Sequence, residues 1–459
     1  MRILLIQPPS SISFIDKVYM HEPLALEYLG AGLKLDAHQV LLHDARIEPD
    51  VLTAVRRFQP DLVALTAYTS QVNIVTLLAR QIKALNPAIF VVVGGHHATV
   101  KPRDFNDPTF DLVVIGEGVE TLRQIARELT GKKDFLSIHG LAIPGADFSF
   151  TPPRPHPELD QLPLPDRTLT ARYRQQYFSE WLRPLASVRT SLGCTARCNF
   201  CALWSLTGGK YLRREVGRVI KELHTIKEEN VFFCDDESMC DVRRMDRLAD
   251  AIRESGIRKN YFLYARVDTI VQNPELFAKW RDIGLKQVFV GMESFSDAHL
   301  QGMNKGITVK QQEEAVHILR ELGILLYASF VVDPDYTRND FRDLTAYVRR
   351  LKLQYASFSV LTPLPGTAMY NERQGELLPY RPELFDFIHT VLPTRLPLPE
   401  FYAEFARLWQ RAIPPHRAIK TFSKYGLRRL PSVFKLLGEA MRTLRQGHLD
   451  HGETVSAKD

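Results

Sequence analysis

The sequence predicts an α/β chain in three parts: a doubly wound, Rossmann-like domain over residues 1–135, a partial (βα)6 barrel over 181–370, and a helical region over 371–459. A proline-rich linker over 136–180 joins the first two. Two observations predict this. Short apolar runs alternate with helical periodicity twice along the chain, as parallel sheets covered by helices require. Between the two series, seven prolines crowd into residues 140–166, where they break regular structure and suit an extended connection.

The first series has apolar runs at residues 3–6, 40–43, 62–66, 89–93 and 112–115, with helical patterns over 24–35, 72–85 and 121–129. Runs that are apolar throughout belong to strands buried on both faces. The second series places strands at 187–192, 231–234, 261–265, 287–290, 326–332 and 356–361. Six βα units in succession predict a parallel, partly closed barrel rather than a second flat sheet. Beyond about residue 370 the pattern is helical with proline interruptions, and a polar tail begins near Gly447.

At 459 residues, 45% hydrophobic and 24% charged, the composition is that of an ordered globular protein with two or three cores. A net charge of +6 is modest for this length and does not point to nucleic acid. The first apolar run stops at Pro8 and Pro9, too short for a signal-peptide core, so a cytoplasmic protein is expected. Five cysteines over this length make no disulfide framework. Three of them stand together, which in a reducing compartment points to metal or redox chemistry.

Those three, Cys194, Cys198 and Cys201, occupy one loop, C-T-A-R-C-N-F-C, directly after the first strand of the second series and the turn residue Gly193. Three thiolates can hold three irons of a four-iron cluster and leave the fourth open to another ligand. A structural zinc site wants four ligands in paired spacing, and neither Cys234 nor Cys240 completes such a set. Functional groups of βα arrays gather at the carboxyl ends of strands. There the second strand is followed by Asp235, Asp236 and Glu237, the third by Arg266, the fourth by Gly291-Met292-Glu293-Ser294, and the sixth by a turn through Pro365, Gly366 and Thr367. Adjacent carboxylates are poor core material and mark either a binding edge or a solvated turn. In the first series the strand ends carry Gln7, Thr66 to Ser70, Gly94-Gly95-His96-His97 and Glu117-Gly118. Prolines follow the first strand where G-x-G-x-x-G would need glycines, which disfavours nicotinamide binding.

The cysteine loop, with Phe200 just before its last cysteine, resembles that of the radical S-adenosylmethionine superfamily. The V-G-G and G-E-G-x-E strand ends of the first series resemble the cobalamin-binding domain fused ahead of such barrels. The resemblance implies that Cys194, Cys198 and Cys201 hold a [4Fe–4S] cluster whose open iron chelates S-adenosylmethionine, cleaved on one-electron reduction to methionine and a 5′-deoxyadenosyl radical. It implies that Asp236 or Glu237 takes the methionine amino group and that Glu293 accepts bonds from the ribose hydroxyls. Phe200, Arg266, Pro365 and Gly366 are expected at the same cofactor, with Arg266 either on the methionine carboxylate or on one of the neighbouring acids. Cobalamin is expected over Gln7, Thr66, Ser70, Gly94, Gly95, His96, Glu117 and Gly118. The D-x-H-x-x-G motif that ligates cobalt in many cobalamin proteins has no match after the first strand. Asp36-Ala37-His38 begins like it but has Leu41 for the glycine, so His38 is expected at the surface and the cobalt without a histidine beneath it.

Longer stretches, above all residues 384–402 after the barrel, resemble the hopanoid C-3 methylases, a likeness that runs to about Leu408. It implies methyl transfer to an unactivated carbon of a polycyclic isoprenoid lipid, with reduced flavodoxin or ferredoxin as electron donor. Two other readings stay open: a different reaction of cobalamin-domain radical enzymes, such as oxidative closure of a magnesium porphyrin ester ring, and a non-catalytic cobalamin or iron–sulfur sensor. Residues 411–445 hold nine basic residues and one acid, Glu439, interleaved with apolar residues at helical spacing. Such a segment either lies peripherally on the inner face of an anionic membrane or caps the barrel.

Overall fold

The computed structural model describes residues 1–12, 15–413 and 430–452, without the side chains of residues 430–433. The first series folds into a seven-stranded sheet. Its parallel strands are β1 (Arg2–Gln7), β2 (Gln39–Asp44), β3 (Leu62–Thr66), β4 (Phe90–Gly94) and β5 (Leu112–Val114), in the order β2-β1-β3-β4-β5. Alternate side chains feed two separate cores, Leu4, Ile6, Val63 and Val91 on one face and Ile3, Leu5, Leu62 and Val92 on the other. That is why whole runs are apolar. The strand order reverses between β1 and β3, and such a switch point opens a ligand crevice at the carboxyl ends, here flanked by Gln7 and Thr66.

The proline-rich stretch does more than connect. β6 (Leu141–Ile143) and β7 (Ser149–Phe150) extend the sheet antiparallel beyond β5, which corrects the reading of residues 136–180 as a linker alone. The prolines flank these short strands rather than interrupt them, as a sheet edge allows. Farther on, Arg167 and Arg174 clamp the two series together. Arg167 Nη2 lies 2.7 Å from Glu222 Oε1 and Arg174 Nε 2.5 Å from Glu228 Oε1 on the barrel, while Arg174 also pairs with Glu22. Glu22 in turn accepts the Ser187 N–H of the first barrel strand. Burial, with Glu22 beside it, pushes the Glu27 carboxyl up to about 8.

The barrel strands β8 (Leu185–Val188), β9 (Asn230–Phe233), β10 (Asn260–Ala265), β11 (Leu285–Glu293), β12 (Leu325–Val332) and β13 (Tyr355–Val360) pair in sequence order, all parallel. The first is shorter than expected, because Ser191–Leu192 leaves the sheet to pair antiparallel with Leu212–Arg213. The fourth is longer and reaches Glu293 through a bulge at Gly291. One side-chain parity faces the helices: on β12, Leu326, Ala328, Phe330 and Val332 are buried. The other parity, Leu325, Tyr327, Ser329 and Val331, faces the lumen and is only half-buried. The lumen is therefore open rather than fully packed. At its amino end the Trp181 ring lies 4.6 Å from that of Tyr355.

After the barrel, Phe387 O accepts the Val360 N–H at 2.7 Å and covers the free edge of β13. The helix Leu398–Arg411 buries Phe401, Tyr402 and Phe405, and the helix Leu430–Gln446 sends Leu444 into the same core. Arg417, Lys420, Lys424, Leu427, Arg428 and Arg429 of the expected basic helix lie outside the described residues. The described part of the polar tail after Gly447 docks: His451 Nε2 lies 2.9 Å from Tyr402 OH and Asp450 Oδ2 3.0 Å from His389 Nε2. Among the described residues no helix is long and apolar enough to cross a membrane.

Candidate active site

The antiparallel ribbon brackets the cysteine loop. Gly193 has a φ of +94°, and an added Cβ would lie 2.1 Å from Lys210 O, so glycine is what lets the two arms close. Cys194, Cys198 and Cys201 follow, half-buried and free of disulfides. Burial pushes the Cys194 and Cys201 thiols up to about 11. The loop is pinned from three strand ends. Asp236 Oδ2 accepts the Gly193 N–H at 2.6 Å, Asn199 Nδ2 and Asn304 Nδ2 tie it to the segment after β11 at 2.9 and 2.7 Å, and Met369 N donates to Asn199 O at 3.0 Å. Cys240 Sγ, which the sequence did not associate with the loop, lies 3.4 Å from Thr195 Oγ1. Among the described residues no three His, Cys, Asp or Glu side chains converge on the position of a single ion. A four-iron cluster needs no such convergence, since each thiolate holds a different iron. Three thiols on one half-buried loop, with the Arg266 guanidinium 3.8 Å from Cys198 Sγ, fit a cluster of that kind.

The carboxylates after β9 divide by task. Asp235 is buried and accepts from Thr190 N, Thr190 Oγ1 and Ser191 N at 2.6, 2.6 and 2.8 Å, which staples the start of the ribbon. Asp236 holds Gly193, and Glu237 faces the Arg266 N–H at 3.4 Å with its carboxyl pushed up to about 7 by burial. The Arg266 guanidinium forms an ion pair with none of the acids singled out from sequence. Its partner is Asp268, at 2.9 and 3.2 Å, and its Nη2 donates to Lys305 O at 2.8 Å.

Glu293 occupies the bulge with a φ of 62°, a left-handed conformation uncommon for a residue with a side chain. Its Oε1 lies 2.6 Å from Lys305 Nζ, a residue that sequence reasoning missed. Lys305 Nζ also stands 6.0 Å from the centre of the Phe200 ring. Phe200 packs against Met303, Leu361 and Met369, which brings the cysteine loop, the segment after β11 and the last turn into contact. That turn has its own glycine requirement: Gly366 has a φ of +87°, its carbonyl accepts the Ser205 hydroxyl, and an added Cβ would lie 3.2 Å from Val100 Cβ. Pro365 and Gly366 thus sit on the seam between barrel and amino-terminal domain.

In the amino-terminal domain the candidate residues line the switch-point end of the sheet. Thr66 closes β3 beside Gly94 and Gly95 at the end of β4. Gly95 has a φ of +98°, and an added Cβ would lie 2.5 Å from Thr66 Oγ1. Gly116, also left-handed, has nothing within 4 Å of its added Cβ, so the backbone there is bare to an approaching ligand. Gln7 Nε2 donates to Pro8 O at 3.3 Å, and Ser70 is half-buried in the turn after β3. Glu117 and Gly118 start a helix, with the Glu117 carboxylate accepting Val119 N at 2.7 Å and Glu120 N at 3.3 Å. The two histidines separate. His97 is fully buried between Thr69 Oγ1 at 3.0 Å and Asp104 Oδ2 at 2.9 Å, a structural setting. His96 packs beside Tyr68, ring centres 5.8 Å apart, and burial lowers its pKa to about 4. His38 precedes β2 at the opposite end of the sheet, half-buried rather than at the open surface, with Nδ1 3.5 Å from the amino terminus.

A doubly wound domain of this strand order ahead of a parallel six-stranded barrel with a three-thiol loop defines the class: a radical S-adenosylmethionine enzyme with a cobalamin module. The B12 binding domain model matches residues 15–126 and the Radical SAM superfamily model residues 188–348. The chain is 31% identical to the hopanoid C-3 methylase of Methylococcus capsulatus over 97% of its own length and 84% of that protein. It is 24% identical to the anaerobic magnesium-protoporphyrin IX monomethyl ester cyclase of Rubrivivax gelatinosus, over 84% of the chain and 72% of the cyclase. The fold is shared with the radical S-adenosylmethionine methyltransferase TsrM from Kitasatospora setae, with cobalamin and a [4Fe-4S] cluster bound, at a TM-score of 0.72 and 19% identity over 97% of this chain and 99% of that one. The chain belongs to the cobalamin-binding radical S-adenosylmethionine family. It is a methyltransferase of that family, and its cofactors are a [4Fe–4S] cluster, S-adenosylmethionine and cobalamin.

Proposed function

We propose that the protein methylates an unactivated carbon of a polycyclic isoprenoid lipid of the hopanoid kind. The observation that carries this reading is the lumen wall. Phe232, Tyr264, Phe289, Tyr327 and Tyr355 form a continuous ladder on successive strands, with ring centres 5.0, 4.9, 5.2 and 6.3 Å apart. A wall of tilted aromatic rings in a half-open lumen suits a rigid, mostly apolar molecule and few polar ones. The relation to a hopanoid C-3 methylase supports the same class.

When bound, the cluster and S-adenosylmethionine supply the hydrogen-abstracting radical, and cobalamin supplies the methyl group. The chain's own residues do the rest. Cys194, Cys198 and Cys201 hold the cluster. Glu293 grips the ribose and Glu237 the methionine amino group, with Asp236 fixing the loop through Gly193. The ring ladder excludes water from the reacting carbon and orients it, and the crevice over Gln7, Thr66, Gly95 and Gly116 presents cobalamin from the other side. Reduced flavodoxin or ferredoxin is the proposed electron donor. For the lipid itself we propose peripheral contact with the inner face of the membrane through the helix Leu430–Gln446, where Phe434 and Leu437 stand exposed among exposed Lys435, Arg442 and Arg445.

A porphyrin is also rigid, and the cyclase relatives keep ring closure as the second reading. Expression in a hopanoid-making host followed by mass spectrometry separates the two. Hopanoids carrying one additional methyl group support methylation of this lipid class. Unchanged hopanoids together with a modified magnesium porphyrin would move the protein to the other reaction, and loss of S-adenosylmethionine cleavage altogether would favour a sensor.

A further inference from the structure

We propose that Lys305 is a positioning residue that fixes Glu293 for the ribose of S-adenosylmethionine, a step that rests on Glu293 as the ribose-binding group. Glu293 sits in a disfavoured left-handed conformation at a bulge, so its direction depends on what its side chain meets. Among the described residues it meets one cation: Lys305 Nζ lies 2.6 Å from Oε1, and both side chains are only 9% exposed. A buried ammonium with a single carboxylate partner is held firmly, because neither group has water to replace the other. With Oε1 taken, Oε2 is the oxygen left for a ribose hydroxyl.

The backbone of Lys305 is itself fixed. Its N–H donates to Leu300 O at 3.0 Å and its carbonyl accepts Arg266 Nη2 at 2.8 Å, while Asn304 and Gly306 on either side are left-handed. Asn304 reaches the cysteine loop at Arg197 O, 2.7 Å away, and Lys305 Nζ stands 6.0 Å from the Phe200 ring. One turn thereby sets the ribose carboxylate and the loop in a common frame. Gly291 completes the arrangement, since a Cβ there would lie 2.3 Å from Glu293 Oε1 and 2.9 Å from Lys305 Nζ.

The test uses the anaerobically reconstituted full-length enzyme with Lys305→Met, Lys305→Gln, Glu293→Gln and the Glu293→Gln/Lys305→Met double variant. It reads iron content, S-adenosylmethionine dissociation constant, and kcat and KM for its cleavage. Lys305→Met should weaken binding about tenfold to a hundredfold, as loss of a charge-assisted anchor does, and should raise KM while kcat at saturation and iron stay near normal. Lys305→Gln, which keeps a donor without the charge, should fall between, and it serves if Lys305→Met fails to fold. The double variant should bind no worse than Glu293→Gln alone, because Lys305 acts through Glu293. Additive losses in the double variant, loss of iron in either Lys305 variant, or normal affinity in both would overturn the proposal. Normal affinity in Glu293→Gln would instead remove the ribose role of Glu293, a separate failure.

Discussion

Replacing Gly291 by Ala puts the smallest possible side chain into the space that the Glu293–Lys305 pair occupies. Gly291 lies in a region any residue can adopt, so the backbone itself tolerates alanine. The new Cβ, however, would lie 2.3 Å from Glu293 Oε1, 3.2 Å from its Cδ and 2.9 Å from Lys305 Nζ, closer than real contacts allow. The pair must move. Overpacking of this kind destabilises by about 1–3 kcal/mol, and full separation of a buried pair by about 3–5 kcal/mol. With both side chains 9% exposed, little water is available to soften the change. A ribose bond made by a displaced carboxylate loses much of its charge-assisted strength, about 1.5–3 kcal/mol, which is roughly a tenfold to hundredfold drop in S-adenosylmethionine affinity. Titration of reconstituted Gly291→Ala with S-adenosylmethionine, alongside iron content and thermal unfolding, measures both effects. Normal affinity in a folded, iron-replete variant would refute the placement of the ribose at Glu293.

Three further outcomes are expected. Replacement of Cys194, Cys198 or Cys201 by Ala should abolish the cluster in anaerobic reconstitution, whereas Cys234→Ala should not; Cys240, at 3.4 Å from Thr195, is the informative control, and equal iron loss in Cys240→Ala would displace the ligand assignment. Cob(II)alamin bound to the protein should give an electron paramagnetic resonance spectrum without nitrogen splitting from a protein ligand, and a nitrogen pattern that vanishes in His96→Ala would overturn that reading. Docking of the 447–451 tail should weaken as pH rises above about 6.5, the range in which the buried His451, lowered to about 4, is already neutral. Burial alone would lower the His389 pKa, but Asp386 at 2.7 Å and Asp450 at 3.0 Å outweigh it and raise the value. A raised histidine pKa contributes stability that is complete below the unfolded value of about 6.5 and lost as pH climbs through the folded value. Proteolysis of the tail against pH, which His389→Gln should flatten, checks the direction.

The strands were legible because parallel strands buried on both faces must be apolar throughout, as residues 62–65 and 89–93 are. The short strands inside the proline-rich stretch were not, since Leu141–Ile143 and Ser149–Phe150 are three and two residues long and carry no period. The cysteine spacing announced its loop. Lys305 was hidden for the opposite reason: a lone lysine in a polar turn, it gains meaning only when the bulge at Gly291 aims Glu293 back across twelve residues. Asp268 left a weak trace, an Arg and an Asp two apart at a strand end, which could have named the partner of Arg266.

The same bulge also separates two chemistries that must not mix. Below it, strand parity delivers Tyr264, Phe289 and Tyr327 to the lumen, and a one-residue slip would deliver Leu263, Val288 and Leu326 in their place. Above it the lumen-facing positions change from rings to charges, and two of these charges are matched: Glu293 by Lys305, Arg266 by Asp268. Paired charges at the rim can hold a zwitterionic cofactor without drawing water down into the apolar wall, where a carbon radical would need protection from side reactions. Charge introduced into the ladder should therefore harm substrate turnover far more than S-adenosylmethionine binding. Phe289→Glu is the sharp case, because Phe289 lies two residues below Gly291 on the same face. If that variant keeps its iron and binds S-adenosylmethionine normally yet methylates substrate at an undiminished rate, the lumen is not where the reacting carbon sits.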